Sequence, residues 1–402
     1  MKSITAIDFG SSKIVTLVAD TGGTQRCDIV GAGTAPYDGF VEREWNNPEG
    51  LEDAIRASVE AAAQQANRLV RNVYVGVPGD FLQICTTEPT VTIQGADPRV
   101  TKDHIDQLFK EAARAFHPEY SDMLYQSPAW FMVDNGKKTL EPVGQKGGEI
   151  KALISTVYAY KSFTDTIKER MENLGYHVEN FYPSNVGQAL LYLPEEARDR
   201  TAVLIDMGYL CTDVMIVEGD AVIFEETLSE GGGHIALEIA DKLGIQFESA
   251  EQIKREFLFD LTSRDEDSGL PPKTYDITES LNEGESARTR SFTQGEIAGI
   301  IEPFVQEMGQ HISECIDNSG IKLGQWSNVY LTGGGLCINR GGRDFLSVQL
   351  NRPMRELPKR SYRLTSQIYT SAMGLMDLCI DMDNTNNAPS KLSEFFKSLL
   401  GN

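Results

Sequence analysis

Short apolar runs alternate with longer amphipathic stretches along this chain, and the two halves repeat the arrangement. Residues 4–18 and 27–35 alternate or run apolar, which predicts a hairpin continuing into a third strand. Residues 50–69 are Ala-rich with helical spacing. Arg71–Val77 predicts a strand and Pro78-Gly79 its turn. The pattern then becomes strand, strand, helix (102–115), strand and a long apolar strand at 150–160, the profile of a compact inserted subdomain. Lys161–Gly175 predicts a helix closed by glycine, Tyr176–Tyr182 a strand, and Asn185–Leu193 a short helix. In the second half a strand at 202–207 precedes helical spacing at 234–257. Residues 258–290 are polar and turn-rich, which predicts an exposed hairpin or loop. A helix over 293–319, a strand at 329–332, a strand near 352–357 and a helix over Thr365–Cys379 follow. Asp381–Ser390 has the composition of a polar linker.

The strand ends carry the chemistry. Thr5-Ala6-Ile7-Asp8-Phe9-Gly10-Ser11-Ser12-Lys13 and Ala202-Val203-Leu204-Ile205-Asp206-Met207-Gly208 both run from an apolar strand into Asp-x-Gly. A third run, Val329-Tyr330-Leu331-Thr332-Gly333-Gly334-Gly335, ends in glycines alone. Two Asp-Gly turns facing each other across a cleft can hold a metal-bound polyphosphate. Gly10-Ser11-Ser12 offers inward N–H groups and two hydroxyls to a phosphate, and Lys13 a positive charge. Asp8 and Asp206 would serve Mg²⁺ through water, because Mg²⁺ keeps most of its hydration shell. The spacing predicts a duplicated α/β domain with a nucleotide between its halves.

Composition narrows the partners. A net charge of −22 over 402 residues opposes nucleic-acid binding and adsorption of the body to an anionic membrane. No apolar stretch reaches the roughly 18 residues of a membrane span, and Asp8 interrupts the only early apolar run, which argues against a signal peptide. Six scattered cysteines without a CxxC pair read as free thiols of a reduced, cytosolic protein. The five histidines are isolated, so neither a His/Cys metal site nor a nucleophile set is expected.

The ordered set Asp8-x-Gly10-Ser11-Ser12-Lys13, Asp206-x-Gly208 and Thr332-Gly333-Gly334-Gly335 resembles the actin/Hsp70/sugar-kinase ATPases. Three stretches narrow the resemblance to the bacterial division protein family FtsA: Glu141-Pro142-Val143-Gly144 with Gly147 and Ile150-Lys151-Ala152; Gly232-Gly233-His234-Ile235 with Ala250-Glu251-Gln252-Ile253-Lys254; and Ile300-Ile301-Glu302-Pro303-Phe304-Val305. The resemblance implies duplicated actin-like (ribonuclease H-like) ATPase domains with an inserted small α+β subdomain. Its units would be residues 1–71 with 163–200, the insert 72–162, 201–233 with 317–380, the small subdomain 234–316, the linker 381–390 and a terminal helix 391–402.

The same resemblance implies ATP and Mg²⁺ as cofactors. Gly232, Glu251 and Lys254 would meet ribose and adenine, Gly333–Gly335 the nucleotide's close approach, and Gln188 the attacking water. Taken alone, Gln188 also reads as a solvent-facing helix residue, and Glu251/Lys254 as an intrahelical ion pair. One departure stands out. Where the family has glycines after Asp-x-Gly, this chain has Tyr209-Leu210-Cys211 before Thr212-Asp213. A side chain at Tyr209 restricts positive φ and is expected to crowd a terminal phosphate, so any ATPase would be slow.

Leu392, Phe395, Phe396, Leu399 and Leu400 fall on one helical face beyond the linker, the profile of an interfacial membrane anchor. By resemblance, the protein would be a cell-division adaptor that assembles head to tail. It would bind the C-terminal peptide of FtsZ and sit peripherally on the cytoplasmic face of the membrane at the division site. The alternative is an ATP-binding adaptor of the PilM type in type IV pilus assembly.

Overall fold

A computed structural model describes residues 2–21, 27–259, 273–279, 287–324, 327–358 and 364–387, with side chains placed through Asp383 in the last segment. The first sheet begins with β1 (Lys2–Phe9), β2 (Lys13–Thr21) and β3 (Asp28–Pro36), the antiparallel meander predicted from the alternation. A two-residue ribbon, β4 (Phe40–Val41) with β5 (Glu44–Trp45), leads to α1 (Leu51–Ala66). The chain then adds β6 (Asn72–Val77) parallel to β1. The boundary expected at residue 72 is therefore displaced. Tyr74 and Val75 pair with Ala6 and Ile7, so β6 belongs to the first core and the insert starts after Pro78.

The insert comprises β7 (Leu82–Thr87), β8 (Thr90–Thr92), α2 (Lys102–Ala115), β9 (Ser121–Val133) and β10 (Glu149–Tyr160). The long strand β10 pairs antiparallel with β7, β8 and β9, and α2 closes a separate small core over Ile150, Ala152 and Ile154. The chain returns through α3 (Lys161–Asn173) to β11 (His177–Pro183), which completes the first sheet beside β6. α4 (Ser184–Tyr192) and the single turn α5 (Glu195–Arg198) lead to the second half.

The second sheet orders β14-β13-β12-β17-β18, from β12 (Ala202–Met207), β13 (Thr212–Glu218), β14 (Ala221–Leu228), β17 (Val329–Thr332) and β18 (Met354–Arg355). Between β14 and β17 lie α6 (Gly232–Leu243), α7 (Phe247–Glu256), the hairpin β15 (Thr274–Glu279) with β16 (Arg288–Thr293), and α8 (Gln294–Asn318). The single helix predicted over 234–257 is two, because Gly244 ends α6 at a φ of 58°. After β17 come α9 (Gly342–Gln349) and finally α10 (Thr370–Asn387).

α10 corrects two expectations. It runs through Asn387, so residues 381–387 continue the helix that the linker composition had ended. It also packs on α4, β1 and β2, although the sequence order had placed it in the second core. Ala372, Leu375, Met376 and Cys379 share one apolar cluster with Ile4 and Ala6 of the first sheet and with Leu204 and Met215 of the second. α4 and α10 thus form the layer between the sheets. Their backbones touch where a methyl on Gly187 or Gly374 would overlap the other helix.

The insert is not a free appendage. Asp220 N–H donates to the Pro128 carbonyl at 3.1 Å, and Ser155 Oγ donates to the Val222 carbonyl at 2.6 Å. Ala129, Trp130 and Ala221 are buried together at this contact. Gly219, at a φ of 56°, lies so close that a side chain would overlap the Ala129 carbonyl. Residues inserted into the first half are thereby docked on the β13–β14 turn of the second.

Candidate nucleotide site

A cavity of about 690 Å³ opens between the two sheets at the ends of β1 and β12. At one end the first Asp-Gly turn supplies Asp8, Gly10, Ser11, Ser12 and Lys13. The turn closes tightly, with Gly10 N–H on the Lys13 carbonyl at 3.0 Å. Tyr37 braces it twice: its hydroxyl donates to the Gly10 carbonyl at 2.6 Å, and its N–H to the Ser12 carbonyl at 3.2 Å. Among the described residues, the N–H groups of Ser11 and Ser12 meet no acceptor and the Lys13 ammonium has no ion pair. Burial lowers the Lys13 pKa, with Arg255 adding to the effect and Asp206 and Asp8 opposing it.

Asp8 is buried and accepts from Ser184 Oγ at 2.7 Å and Ser371 Oγ at 3.0 Å. Burial raises its pKa despite those donors. Asp206 faces the same cavity, and its pKa is raised to about 6, first by burial and then by the Asp8 charge. The buried Asp8 carboxylate and the half-buried Asp206 carboxylate offer oxygen ligands to a hard cation, and the unpaired Lys13 ammonium suits a phosphate instead. Among the described residues, no group of three or more His, Cys, Asp or Glu side chains could hold a metal by itself. Two carboxylates are the protein share of a usual Mg²⁺ site, whose other ligands are water and substrate phosphates.

The second turn behaves differently from its sequence expectation. None of residues 208–211 adopts positive φ, so the missing glycines cost no backbone strain. Leu210 N–H donates to Ser11 Oγ at 3.0 Å across the cleft. Cys211 is buried in the apolar cluster of the first core, and Leu210 packs against it. The second turn therefore clasps the first domain. Tyr209 does not stay at the phosphate turns: its ring leans toward α6 and α7, over Gly233 and 5.5 Å from Lys254 Nζ.

At the far end Glu251, Lys254 and Arg255 of α7 line the cavity with Gly333, Gly334 and Ile338. Lys254 is almost fully buried and donates to the Gly232 carbonyl at 3.2 Å and to Glu251 Oε1 at 3.2 Å. Arg255 Nε donates to the same Oε1 at 2.8 Å. Glu251 Oε2 lies 3.0 Å from Lys254 Nζ, yet is buried and makes no aligned hydrogen bond. Beyond that ion pair it keeps acceptor capacity for a further donor.

Comparison with known proteins places the fold. The chain is 23% identical over 333 residues to cell division protein FtsA of Pseudomonas aeruginosa, covering 83% of this chain and 78% of that protein. It is 22% identical over 397 residues to FtsA of Neisseria meningitidis, covering 96% and 92%. The chain is a divergent FtsA-like protein. A family model described as type IV pilus assembly protein PilM matches residues 174–264. The fold is that of actin-like ATPases. A PilM–PilN type IV pilus biogenesis complex superposes with a TM-score of 0.60 at 17% identity, covering 94% of this chain and 98% of that one. MreB5 of Spiroplasma citri, bound to ADP, superposes with a TM-score of 0.59 at 10% identity, covering 97% and 99%.

Within this FtsA-like frame the cleft gathers most of the expected residues. Asp8, Gly10, Ser11, Ser12, Lys13, Asp206, Gly208, Glu251, Lys254, Gly333 and Gly334 all line the cavity. Gly232 and Gly335 stand behind its wall. Gly232 N–H donates to the Gly208 carbonyl at 3.0 Å and Gly335 N–H to the Met207 carbonyl at 2.7 Å, so these glycines let three backbone turns meet. Gln188 is also outside the lining. It is fully buried and donates to Asp206 Oδ2 at 2.7 Å and to Thr370 Oγ1 at 3.0 Å, so it does not face solvent. The terminal positions Leu392, Phe395, Phe396, Leu399 and Leu400 lie outside the described residues.

Sequence reasoning passed over Asn185, Asp80, Asp213 and Thr227, which line the cavity beside Asp206. Asp213 pairs opposite Asp206 across β12 and β13 and accepts from Thr227 Oγ1 at 2.6 Å. Glu225 sits behind it and accepts from Asn185. Burial first holds both well above the usual carboxylate range; the Asp206 and Asp80 charges add to the rise at Asp213, and the Asp213 charge to that at Glu225. Asp213 was visible in the motif as the Asp of Thr212-Asp213. Glu225 carried no such signal.

Proposed function

We propose that this chain is an actin-like, ATP-binding protein of bacterial cell division that works as a self-assembling adaptor. The cleft supports the nucleotide reading at both ends. Open N–H groups at Ser11 and Ser12 with an unpaired Lys13 suit a phosphate, and Glu251 Oε2, ion-paired with Lys254 but without an aligned hydrogen bond, suits a sugar hydroxyl. Asp8 and Asp206 would hold Mg²⁺, which supplies positive charge to phosphate oxygens when bound. The chain's own residues bind and orient rather than turn over. Gln188 is spent on Asp206, and the Ser11–Leu210 clasp joins the two turns, so hydrolysis is at most slow.

The partners follow from the likeness to FtsA. The small subdomain of α6, α7, β15, β16 and α8 would receive the C-terminal peptide of FtsZ. Copies would assemble head to tail, and residues 391–400 would bring the assembly to the cytoplasmic face of the membrane at the division site. Among the described residues no helix is long and apolar enough to cross a membrane.

The deciding experiment is calorimetric titration of ATP and ADP with Mg²⁺ into wild type, Gly10→Arg and Asp206→Ala. Wild type should bind and both variants should lose affinity. No binding by wild type would sink the reading.

The match of residues 174–264 to the PilM model supports a second reading, an adaptor of pilus assembly. Deleting residues 391–402 separates the two. An FtsA-like adaptor leaves the membrane, whereas a PilM-like one stays with its membrane partner.

A further inference from the structure

Tyr209 is the one aromatic side chain that a phosphate turn sends into the other end of the cleft. It lines the cavity, and its ring lies over the backbone of Gly233, where a Cβ would stand 2.9 Å from ring carbon Cε1. The absence of a side chain at Gly233 makes room for the ring. Lys254 Nζ holds the ring from α7 at 5.5 Å from its centroid. The phenol hydroxyl makes no hydrogen bond among the described residues. Glu251 comes next after burial in raising its pKa, to about 12, so the hydroxyl stays a neutral donor at physiological pH and lies within the field of that carboxylate.

Two polar groups without hydrogen-bond partners thus sit on one wall: the Tyr209 hydroxyl, which can donate or accept, and Glu251 Oε2, which can only accept. They do not bond each other. A ligand presenting two adjacent hydroxyls satisfies both at once. We propose that Tyr209 is a specificity-determining residue that recognises the ribose diol of the bound nucleotide jointly with Glu251. The proposal rests on the nucleotide reading of the cleft and adds Tyr209 to the sugar contact given to Glu251. On this view the residue that breaks the glycine pattern serves the nucleoside end of the site.

The test uses the full chain, with Mg²⁺ and three probes: ADP, 2′-deoxy-ADP and 3′-deoxy-ADP. Wild type should bind ADP about 10-fold tighter than at least one deoxy analogue. Tyr209→Phe keeps the ring on Gly233 and removes only the hydroxyl. It should weaken ADP binding about 5- to 10-fold and abolish discrimination against that same analogue. Tyr209→Gly should weaken ADP further. If wild type binds all three probes alike, or if Tyr209→Phe keeps both its affinity for ADP and its discrimination, the ribose proposal is overturned while the nucleotide reading stands. If wild type binds none of the probes, the nucleotide reading itself fails, and the proposal with it.

Discussion

The fully buried side-chain amide of Gln188 donates to Oδ2 of the half-buried Asp206 over 2.7 Å and reaches Thr370 Oγ1 at 3.0 Å. A helix residue from one domain therefore sets the orientation of the second turn's carboxylate. Gln188→Ala leaves the half-buried Asp206 carboxylate without its amide donor, while Thr370 Oγ1 keeps Thr332 and Gln367, so the change should cost about 1–3 kcal/mol in chemical denaturation and weaken nucleotide binding. A water-orienting residue would behave otherwise: its loss would slow turnover and leave stability and affinity intact. That second pattern would refute the positioning role.

The clasp between the two turns makes a local prediction. Ser11→Ala removes the acceptor of the Leu210 N–H, and the net loss should be about 1 kcal/mol because the bond is only partly buried. Amide exchange at Leu210 should accelerate by about 5- to 10-fold, with the strand amides of β12 unchanged. Unchanged exchange at Leu210 would mean that the apolar seat of Cys211 alone holds the turn.

The alternation of residues 4–18 and the Ala-rich spacing of 50–69 were legible because both elements bury one face through local periodicity. The two Asp-Gly turns were legible because a strand end followed by glycine is a local signal. The place of β6 was not, since its parallel partners Ala6 and His177 are distant in sequence. Nor was that of α10, whose apolar residues face two sheets at once and so lack a clean stripe. Asn185 and Gln188 lie one turn apart on α4, and which of them meets the cavity depends on the backbone contact of Gly187 with Gly374. No short-range pattern encodes that rotation. The exchange of Gln188 for Asn185 is thus a tertiary effect.

Docking of the insert can be tested at one atom. Gly219→Ala places a methyl against the Ala129 carbonyl in a left-handed backbone, so it should destabilise the protein by about 2 kcal/mol or more. Protease sensitivity should rise in β9 and at the β13–β14 turn. Gly299→Ala is the control. It lies within α8 with open space around its Cβ, and should be neutral or stabilising by about 0.5–1 kcal/mol. Equal effects at the two sites would show that the insert is not seated on the second core.

The acidic end of the cleft makes stability fall as pH rises. Burial raises Asp8 and Asp80, holds Asp206 at about 6 against an ordinary value of 3.8, and lifts Asp213 and Glu225 further. A carboxyl with a raised folded pKa binds more protons in the native state than in the unfolded one. Its favourable contribution is complete below about pH 4 and is lost as pH rises through the folded value. The nucleotide-free protein should therefore melt several degrees lower at about pH 8 than at about pH 6. His311, raised by its hydrogen bond to Glu230, acts in the same direction near neutrality. Glu225→Gln removes one member of the repelling pair and keeps an acceptor for Asn185. It should raise the melting temperature most at the alkaline end and flatten the profile. A variant whose profile stays parallel to wild type would show that the pair does not govern this dependence.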